Sequence, residues 1–454
     1  MSTATEAALA RLGEVVGAAH LLAEPAQLSE YEVDGLRPAA AAGPGSLDEL
    51  AELVRFAARE KLAVLPVGAR TKLRLGAPPR RYDLAIDLTR LNRVLAYDPA
   101  DLTLSVEAGM PIAQLQHILA GQRQFLPLDP PFTADATLGG ILATNSTGPL
   151  RHAYGTARDF VLGMEFVTGH AARTKSGGRV VKNVAGYDLH KLMIGALGTL
   201  GIITSVNFKT FPLPRATATF IAFFGHADEA LALRRRIAQS PLQPRAVEMI
   251  DPRAARILAP ERRRLSATGW SVVVAVGGNE RVVERHAADL SRIMQEEHAT
   301  SFVALSGEEE AALWERIREF PRLAMEFSPA ATILKMTAPP TQFPSLLDHA
   351  RRVTEQYDLA WAAVIRAAGV VYLALVPPAR DDSTLRRLAQ ASTELIHAGT
   401  TPTGRVIIEW CPLELKRDVN VWGPARDDLV LMQKLKRAFD PECIFSPGRF
   451  WGGI

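Results

Sequence analysis

The stretch Asp135-Ala-Thr-Leu-Gly-Gly-Ile-Leu-Ala-Thr-Asn145 decides how the first half of this chain is interpreted. It places two adjacent glycines directly before the apolar residues Ile141 to Ala143. Glycine loses more conformational freedom on folding than other residues, so glycine in a buried apolar segment indicates a close approach of the backbone to a neighbour. We interpret the stretch as a helix packed tightly on a ligand, with Asn145 and Ser146 offering hydrogen-bond donors. The alternative is a glycine-rich helix start that packs on a strand.

A high density of glycine extends over the whole segment from Leu128 to Gly201. The positions are Gly139, Gly140, Gly148, Gly155, Gly163, Gly169, Gly177, Gly178, Gly186, Gly195, Gly198 and Gly201. Such a density in an apolar region predicts that backbone, rather than side chains, lies against a neighbouring group.

The turn Val67-Gly-Ala-Arg-Thr-Lys72 follows a short predicted strand, Leu62 to Pro66. Successive backbone N–H groups in such a turn can form an anion-binding nest for a pyrophosphate. The alternative is an ordinary turn, because the spacing is neither that of a Walker A motif nor that of a Rossmann fingerprint. Farther on, Lys182 either holds a phosphate or a developing negative charge, or is a surface charge.

Composition excludes several classes of protein. The chain has 454 residues, and its 52 Lys+Arg against 49 Asp+Glu give a net charge of +3, too little to argue for nucleic-acid binding. Two cysteines, Cys411 and Cys443, cannot ligate a four-cysteine iron–sulfur or zinc site, and the histidines lack metal-ligand spacing, so we expect no metal.

No apolar run approaches the roughly 20 residues of a membrane span, and the N-terminus lacks a secretory pattern, so we expect a cytoplasmic protein.

The pattern along the chain predicts three regions. Ser46 and Glu49 have capping-box spacing, which predicts a helix to about Lys61. A β-like run closed by prolines places a domain boundary after residue 214. Four strand–helix units then predict an antiparallel sheet with helices on one face. We therefore expect a first domain over 1–214, a second over 215–404, and a C-terminal segment, 405–454, that returns to the first.

Four pieces of the first region, each weak alone, occur in the order of a known family. They are Pro66–Gly76, Thr137–Gly148, Tyr154–Asp159 and Gly195–Ile203. Together they resemble the FAD-binding domain of the vanillyl-alcohol oxidase type (PCMH-type). The closing segment Phe439–Arg449 resembles that family's C-terminal signature. Within the family, Asp159–Gly163, Lys182–Leu189 and Asp418–Gly423 are most similar to the smaller of the flavin-binding subunits of glycolate oxidase (glycolate dehydrogenase).

The resemblance implies an α+β fold: an FAD-binding domain of two α+β subdomains and a ferredoxin-like α/β cap. It implies that the cofactor is FAD, with the pyrophosphate near Val67–Thr71 and Gly139–Gly148 and the adenine near Ile202–Ile203. The cofactor-binding positions that it implies are Val67, Gly68, Ala69, Arg70, Thr71, Lys72, Pro130, Thr137, Gly139, Gly140, Asn145, Ser146, Gly148, Tyr154, Gly155, Asp159, Gly201, Ile202, Ile203 and Arg449. Some relatives attach FAD through a His in the first glycine turn or through a Cys. That turn has no His here, and neither cysteine lies in this region, so we expect dissociable FAD.

One departure from the family concerns catalysis. Relatives that oxidise D-2-hydroxy acids carry a His-rich stretch in the cap and a Glu-His-Gly motif near the C-terminus. The matching places here, Trp361–Gly369 and Val406–Cys411, contain no histidine, so the usual general base is missing. Arg366 is the expected substrate-binding residue, because a guanidinium can clamp a carboxylate, but we name no catalytic residue.

The resulting hypothesis is an FAD-binding subunit of a glycolate-oxidising complex, acting as an electron relay or as an accessory. Its partners would be a homologous catalytic flavoprotein subunit and an iron–sulfur subunit, through which it would contact the inner membrane. Two alternatives stay open. One is a self-sufficient FAD-dependent oxidoreductase for another hydroxy acid or alcohol, and the other is a scaffold that has lost its cofactor.

Overall fold

The computed structural model describes residues 3–180, 186–259, 264–425 and 427–454. Lys182 and its neighbours up to residue 185 lie outside the described residues, so the phosphate role considered for Lys182 stays a prediction.

The first subdomain is a small sheet with helices, and it carries the predicted anion-binding turn. Its elements are α1 (Thr3–Val16), β1 (Leu21–Leu22), α2 (Pro25–Leu28), β2 (Ala40–Ala42), α3 (Leu47–Glu60), β3 (Val64–Val67) and β4 (Leu84–Asp87). The strand order is β1-β2-β4-β3, with β2 and β3 parallel to β4. Helix α3 begins where the sequence predicts, because the Ser46 hydroxyl accepts a hydrogen bond from the Glu49 N–H at 3.2 Å. The turn 68–72 leaves the carboxyl end of β3.

The second subdomain is an antiparallel sheet with the order β5-β6-β10-β8-β9. Its elements are β5 (Val94–Asp98), β6 (Thr103–Glu107), α4 (Ile112–Ala120), β7 (Gln124–Phe125), α5 (Leu138–Ala143), α6 (Arg151–Tyr154), α7 (Ala157–Phe160), β8 (Val161–Val167), β9 (Arg173–Gly177), α8 (His190–Met193), β10 (Ile202–Lys209) and β11 (Phe211–Pro212). Val167 and Ile202 are buried in the core of the first subdomain, so the two subdomains pack directly on each other.

The cap is built on an eight-stranded antiparallel sheet with the order β15-β12-β14-β13-β17-β18-β16-β19. Its strands are β12 (Ala216–Phe224), β13 (Ala246–Ile250), β14 (Trp270–Gly278), β15 (Ser301–Leu305), β16 (Thr332–Thr337), β17 (Trp361–Arg366), β18 (Val370–Leu375) and β19 (Arg405–Trp410). Its helices are α9 (Ala227–Ala238), α10 (Pro252–Leu258), α11 (Glu280–Glu296), α12 (Gly307–Arg318), α13 (Phe320–Phe327), α14 (Phe343–Gln356) and α15 (Asp382–Gly399).

The prediction that helices cover one face of this sheet is wrong. Helices α9, α11, α14 and α15 bury apolar residues on one face, whereas α10, α12 and α13 bury a second core on the other. Both faces are covered because the strands are apolar on both sides, as in Phe220 to Phe224, and each face must be shielded from water. The mixed α+β fold itself is confirmed.

The C-terminal segment connects the cap to the first subdomain. It starts within the cap sheet, because β19 pairs with β16, and continues through α16 (Leu415–Asp418) and α17 (Leu429–Phe439). It then lies beside β3, where the Val64 N–H donates to the Ile444 carbonyl and the Ser446 N–H donates to the Val64 carbonyl, each at 2.8 Å. Within the described parts of the chain, none of the helices combines the length and apolar character that a bilayer crossing needs.

Candidate functional site

A groove lies between the two subdomains, and the C-terminal segment contributes Ser446 and Arg449 to its lining. It encloses about 820 Å³ of empty space, its opening to solvent included, which is within the usual range of small-molecule sites. The lining residues are Leu65, Pro66, Val67, Gly68, Ala69, Arg70, Thr71, Lys72, Leu73, Leu88, Ala108, Thr137, Gly139, Gly140, Ala143, Thr144, Leu197, Gly198, Gly201, Ile203, Ser446 and Arg449.

The turn after β3 presents unused backbone donors to this groove. None of the N–H groups from Gly68 to Lys72 donates a hydrogen bond to another described residue. Arg70 has a φ of 62°, the left-handed conformation that lets successive N–H groups converge on one point. Unpaired N–H groups are costly unless water or a ligand accepts from them, so the turn is suited to an anion.

The opposite wall is made of backbone that is left uncovered by side chains. Thr137 caps helix α5, and its hydroxyl accepts from the Gly140 N–H at 3.4 Å. A Cβ atom at Gly140 would have a single neighbour within 4 Å, that hydroxyl at 3.3 Å, so it would extend into the groove. Glycine at this position therefore keeps the groove wide enough for a ligand.

Two buried cations border the groove. Arg449 donates to the carbonyl oxygen of Leu73 at 2.6 Å and also to that of Leu75, while its Nε has no partner among the described residues. Lys72 donates to the carbonyl oxygen of Pro131 at 3.0 Å. Burial lowers the pKa of Lys72 to about 8, against the opposing effect of nearby carboxylates. Free amides, an uncovered wall and buried cations together fit an elongated, doubly anionic dinucleotide such as FAD.

The predicted cofactor positions divide into two groups. Those that line the groove are Val67, Gly68, Ala69, Arg70, Thr71, Lys72, Thr137, Gly139, Gly140, Gly201, Ile203 and Arg449. Those outside the lining are Pro130, Asn145, Ser146, Gly148, Tyr154, Gly155, Asp159 and Ile202.

The predicted cofactor positions outside the lining contact other parts of the protein. Tyr154 packs edge-on against Phe125 and Phe211, and Asp159 caps helix α7 through Thr156. Gly148 lies against Asp129, and Ile202 is fully buried between the subdomains. Asn145 is closest to a ligand role, because it follows α5 with a φ of 47° and its Oδ1 is buried without a partner among the described residues.

Sequence reasoning missed part of the lining, including Leu88, Ala108, Leu197, Gly198 and Ser446. Gly198 had a signal, since it belongs to the glycine-dense segment. Ser446 lies in the closing segment Phe439–Arg449 that resembles the family signature, whereas Leu88 and Ala108 had no signal, because they reach the groove only through the packing of distant segments.

A row of polar side chains crosses the cap sheet on the face that carries α10, α12 and α13. We call it the charged row: Glu248, Arg366, Tyr372, Lys335 and Glu409, one residue from each of the adjacent strands β13, β17, β18, β16 and β19. Glu248 is paired in register with Arg366, and Lys335 with Tyr372. All five side chains are buried or nearly so.

Ion pairs and one aromatic ring hold the charged row together. The Lys335 Nζ lies 2.8 Å from the Glu409 Oε1, and the Arg366 Nε lies 3.5 Å from the Glu248 Oε1. The Arg366 guanidinium stacks 4.6 Å from the centre of the Tyr372 ring. Burial alone would lower the pKa of Lys335, but Glu409 and Tyr372 together outweigh burial and raise that pKa above its ordinary value. Burial raises the pKa of Glu248 to about 8, although Arg366 opposes the shift.

The charged row adjoins the groove through Lys72. The ammonium group of Lys72 lies 5.4 Å from the centre of the Phe132 ring, and that ring lies 5.9 Å from the ring of Trp410, the residue after Glu409. The backbone N–H of Phe132 donates to the Glu319 carboxylate of the cap at 2.7 Å. Arg366 also reaches the FAD-binding domain, since its Nη1 donates to the Thr147 carbonyl at 2.6 Å. The groove and the charged row are therefore connected by direct contacts between the cap and the FAD-binding domain.

Two known families match this architecture. The FAD binding domain family matches residues 38–175, and the C-terminal domain of FAD linked oxidases matches 213–401 and 420–450. The chain belongs to the FAD-linked oxidases. Its cofactor is FAD, and it is an FAD-dependent oxidoreductase of the kind that acts on CH–OH groups. The two matched regions are the domains that contain the groove and the charged row.

Curated relatives agree with this assignment. An uncharacterised FAD-linked oxidoreductase of Mycobacterium tuberculosis is 30% identical over 98% of this chain and 98% of its own length. The glycolate oxidase subunit GlcD of Bacillus subtilis is 26% identical over 91% of this chain and 89% of that protein. The glycolate oxidase subunit GlcE of Escherichia coli is 38% identical over 43% of this chain and 54% of that protein.

A solved structure, that of p-cresol methylhydroxylase with substrate bound, shows the same fold. It superposes with a TM-score of 0.80 at 17% identity, covering 99% of this chain and 97% of that chain. The predicted PCMH-type fold is thereby confirmed.

Among the described residues that line the groove there is neither histidine nor cysteine, the residue types to which some relatives attach FAD. Cys411 is buried and Cys443 is exposed, both outside the lining. Dissociable FAD stays our prediction. Within the described ranges, no three His, Cys, Asp or Glu side chains gather as a metal site.

Proposed function

We propose that this chain is the FAD-binding subunit of a complex that oxidises glycolate or a related 2-hydroxy acid. Its role is that of an accessory or an electron relay for a homologous catalytic flavoprotein subunit, and an iron–sulfur subunit completes the complex. Bound FAD supplies the two-electron acceptor for such chemistry. The similarity to two glycolate oxidase subunits supports the substrate class.

The accessory role rests on one observation, the composition and closure of the charged row. An alcohol gives up its hydroxyl proton when its carbon is oxidised, and a base must accept that proton. The charged row has no imidazole, and the amine of Lys335 is held by Glu409 at 2.8 Å. Binding a substrate carboxylate at Lys335 would require breaking a buried ion pair, which is costly. Glu409 therefore already holds the Lys335 ammonium group that a substrate carboxylate would otherwise bind.

A second candidate, a self-sufficient oxidoreductase, is favoured by a different observation. Glu248 and Lys72 both change protonation state near pH 8. Below that pH Glu248 is neutral, so the Arg366 guanidinium no longer faces a charged Glu248 and can bind a carboxylate. Above it, Lys72 is a neutral amine at the groove and can accept a proton. In this alternative Arg366 binds the substrate.

Anaerobic mixing separates the two candidates. The FAD-loaded chain is mixed with glycolate or D-lactate, and the flavin absorbance is followed with and without co-purified partner subunits. We expect the flavin of the isolated chain to stay oxidised and to become reduced in the complex, while dithionite reduces both preparations. Rapid bleaching of the isolated chain that is lost in Arg366→Met would overturn the accessory role and support the second candidate. The cytoplasmic location, with membrane contact only through partners, is part of the same proposal.

A further inference from the structure

Three residues that do not line the groove, Tyr31, Asp87 and Glu30, contact the side chain of Arg70 in the anion-binding turn. The Arg70 guanidinium lies 5.0 Å from the centre of the Tyr31 ring. Its Nη1 is 3.3 Å from the Asp87 Oδ2, and its Nη2 is 3.2 Å from the Glu30 carboxylate. Arg70 lines the groove, whereas Tyr31, Asp87 and Glu30 do not.

The Asp87 side chain is buried and is held in place by several hydrogen bonds. It ends strand β4 and is 7% exposed. Its Oδ1 accepts from the N–H of Thr89 at 2.9 Å and from the Thr89 hydroxyl at 2.6 Å, and its Oδ2 accepts from the Tyr31 hydroxyl at 2.6 Å. Burial and the bond to Asp87 raise the pKa of Tyr31 well above its ordinary value, so Tyr31 remains a donor. Both carboxylate oxygens of Asp87 are therefore in use.

The conformation of Arg70 needs such support. A non-glycine residue in the left-handed region costs about 1 kcal/mol or more, and it persists only where its surroundings hold it. Arg70 lies in the middle of the groove-lining turn whose N–H groups, from Gly68 to Lys72, have no acceptor among the described residues. Restraining the Arg70 side chain therefore also restrains the backbone donors.

We propose that Asp87 and Tyr31 are positioning residues for the diphosphate of FAD, acting through Arg70 and the turn 68–72 without touching the cofactor. Asp87 carries a charge of the same sign as the diphosphate. If Asp87 acted only through its charge, neutralising Asp87 would strengthen anion binding. If Asp87 positions the turn, neutralising Asp87 weakens anion binding. The sign of the change decides between the two. The inference concerns cofactor binding and does not depend on the accessory role.

Calorimetry on the full chain depleted of flavin tests the proposal, with FAD, inorganic pyrophosphate and riboflavin as probes. We expect Asp87→Asn to weaken the binding of FAD and of pyrophosphate by roughly tenfold or more, as for the loss of a charge-assisted hydrogen bond. Riboflavin, which has no phosphate, should bind as it does to the wild type. Glu30→Gln is the matched control: the Glu30 side chain is 68% exposed, so we expect a change of at most about twofold.

Two further variants keep the test decisive if Asp87→Asn is poorly folded. Tyr31→Phe removes one hydrogen bond without changing any charge, and we expect it to weaken pyrophosphate binding about threefold to tenfold. In an Arg70→Gly background, where glycine adopts the left-handed conformation without strain, Asp87→Asn should have no additional effect on affinity. Unchanged or tighter pyrophosphate binding in both Asp87→Asn and Tyr31→Phe would overturn the proposal. An equal loss of riboflavin binding would assign these residues a merely structural role.

Discussion

The groove and the charged row are adjacent, but they differ in whether their hydrogen-bond donors and cations are already paired within the protein. The groove presents backbone N–H groups without partners and two buried cations, so it has unused capacity for an anion. In the charged row, the Lys335 ammonium is bonded to the Glu409 carboxylate at 2.8 Å. An anionic ligand can enter the first region without displacing anything, whereas at Lys335 it must compete with Glu409. This difference is the physical basis for assigning cofactor binding to one region and an accessory role to the chain.

Filling the groove should produce the largest effect. In Gly140→Phe the ring would extend into the groove, and we expect no FAD to be retained after gel filtration. The replacement removes a glycine from a helix, so local helix propensity does not fall. Gly178→Phe is the matched control, because a Cβ at Gly178 meets nothing within 4 Å. If Gly140→Phe retained stoichiometric FAD, the groove would not be the cofactor site.

Breaking the charged row should affect stability instead of cofactor content. Lys335→Met leaves the Glu409 carboxylate buried without its partner, which costs about 3–5 kcal/mol in comparable cases. The double variant Lys335→Met with Glu409→Met should recover most of this loss, because no uncompensated charge remains. Denaturant unfolding of the two variants measures both values. Equal instability of the single and the double variant would show that the ion pair is not what holds these strands.

How much the sequence could predict depends on how local each signal is. Helix α3 was predicted to within one residue, since its cap lies in the same short segment, and the turn 68–72 was found because its glycine and its strand are adjacent. Helices α10 and α13 were missed because each is short, with seven and eight residues, and so short a segment shows little apolar periodicity. The charged row could not be predicted as a unit, since its five members come from five strands that only the sheet order brings together. Arg366 was found through the resemblance, but its partner Glu248 was not.

The smallest expected effect concerns Lys72, where the two regions meet. Its pKa falls from an ordinary value of 10.5 to about 8 in the folded chain, so between these values the unfolded chain binds more protons than the folded one. Stability of the flavin-free protein therefore rises with pH across this window, and below pH 8 the buried ammonium is destabilising by about 3 kcal/mol. Lys72→Met removes the titrating group, so the stability advantage of this variant over the wild type should be largest near pH 7 and should shrink toward pH 10.5.

Denaturant midpoints of both proteins across this pH range measure the difference in stability. Lys209→Met, at a residue outside the groove lining, is the control. An advantage that did not change with pH would show that Lys72 is not a buried, titrating amine between the groove and the charged row.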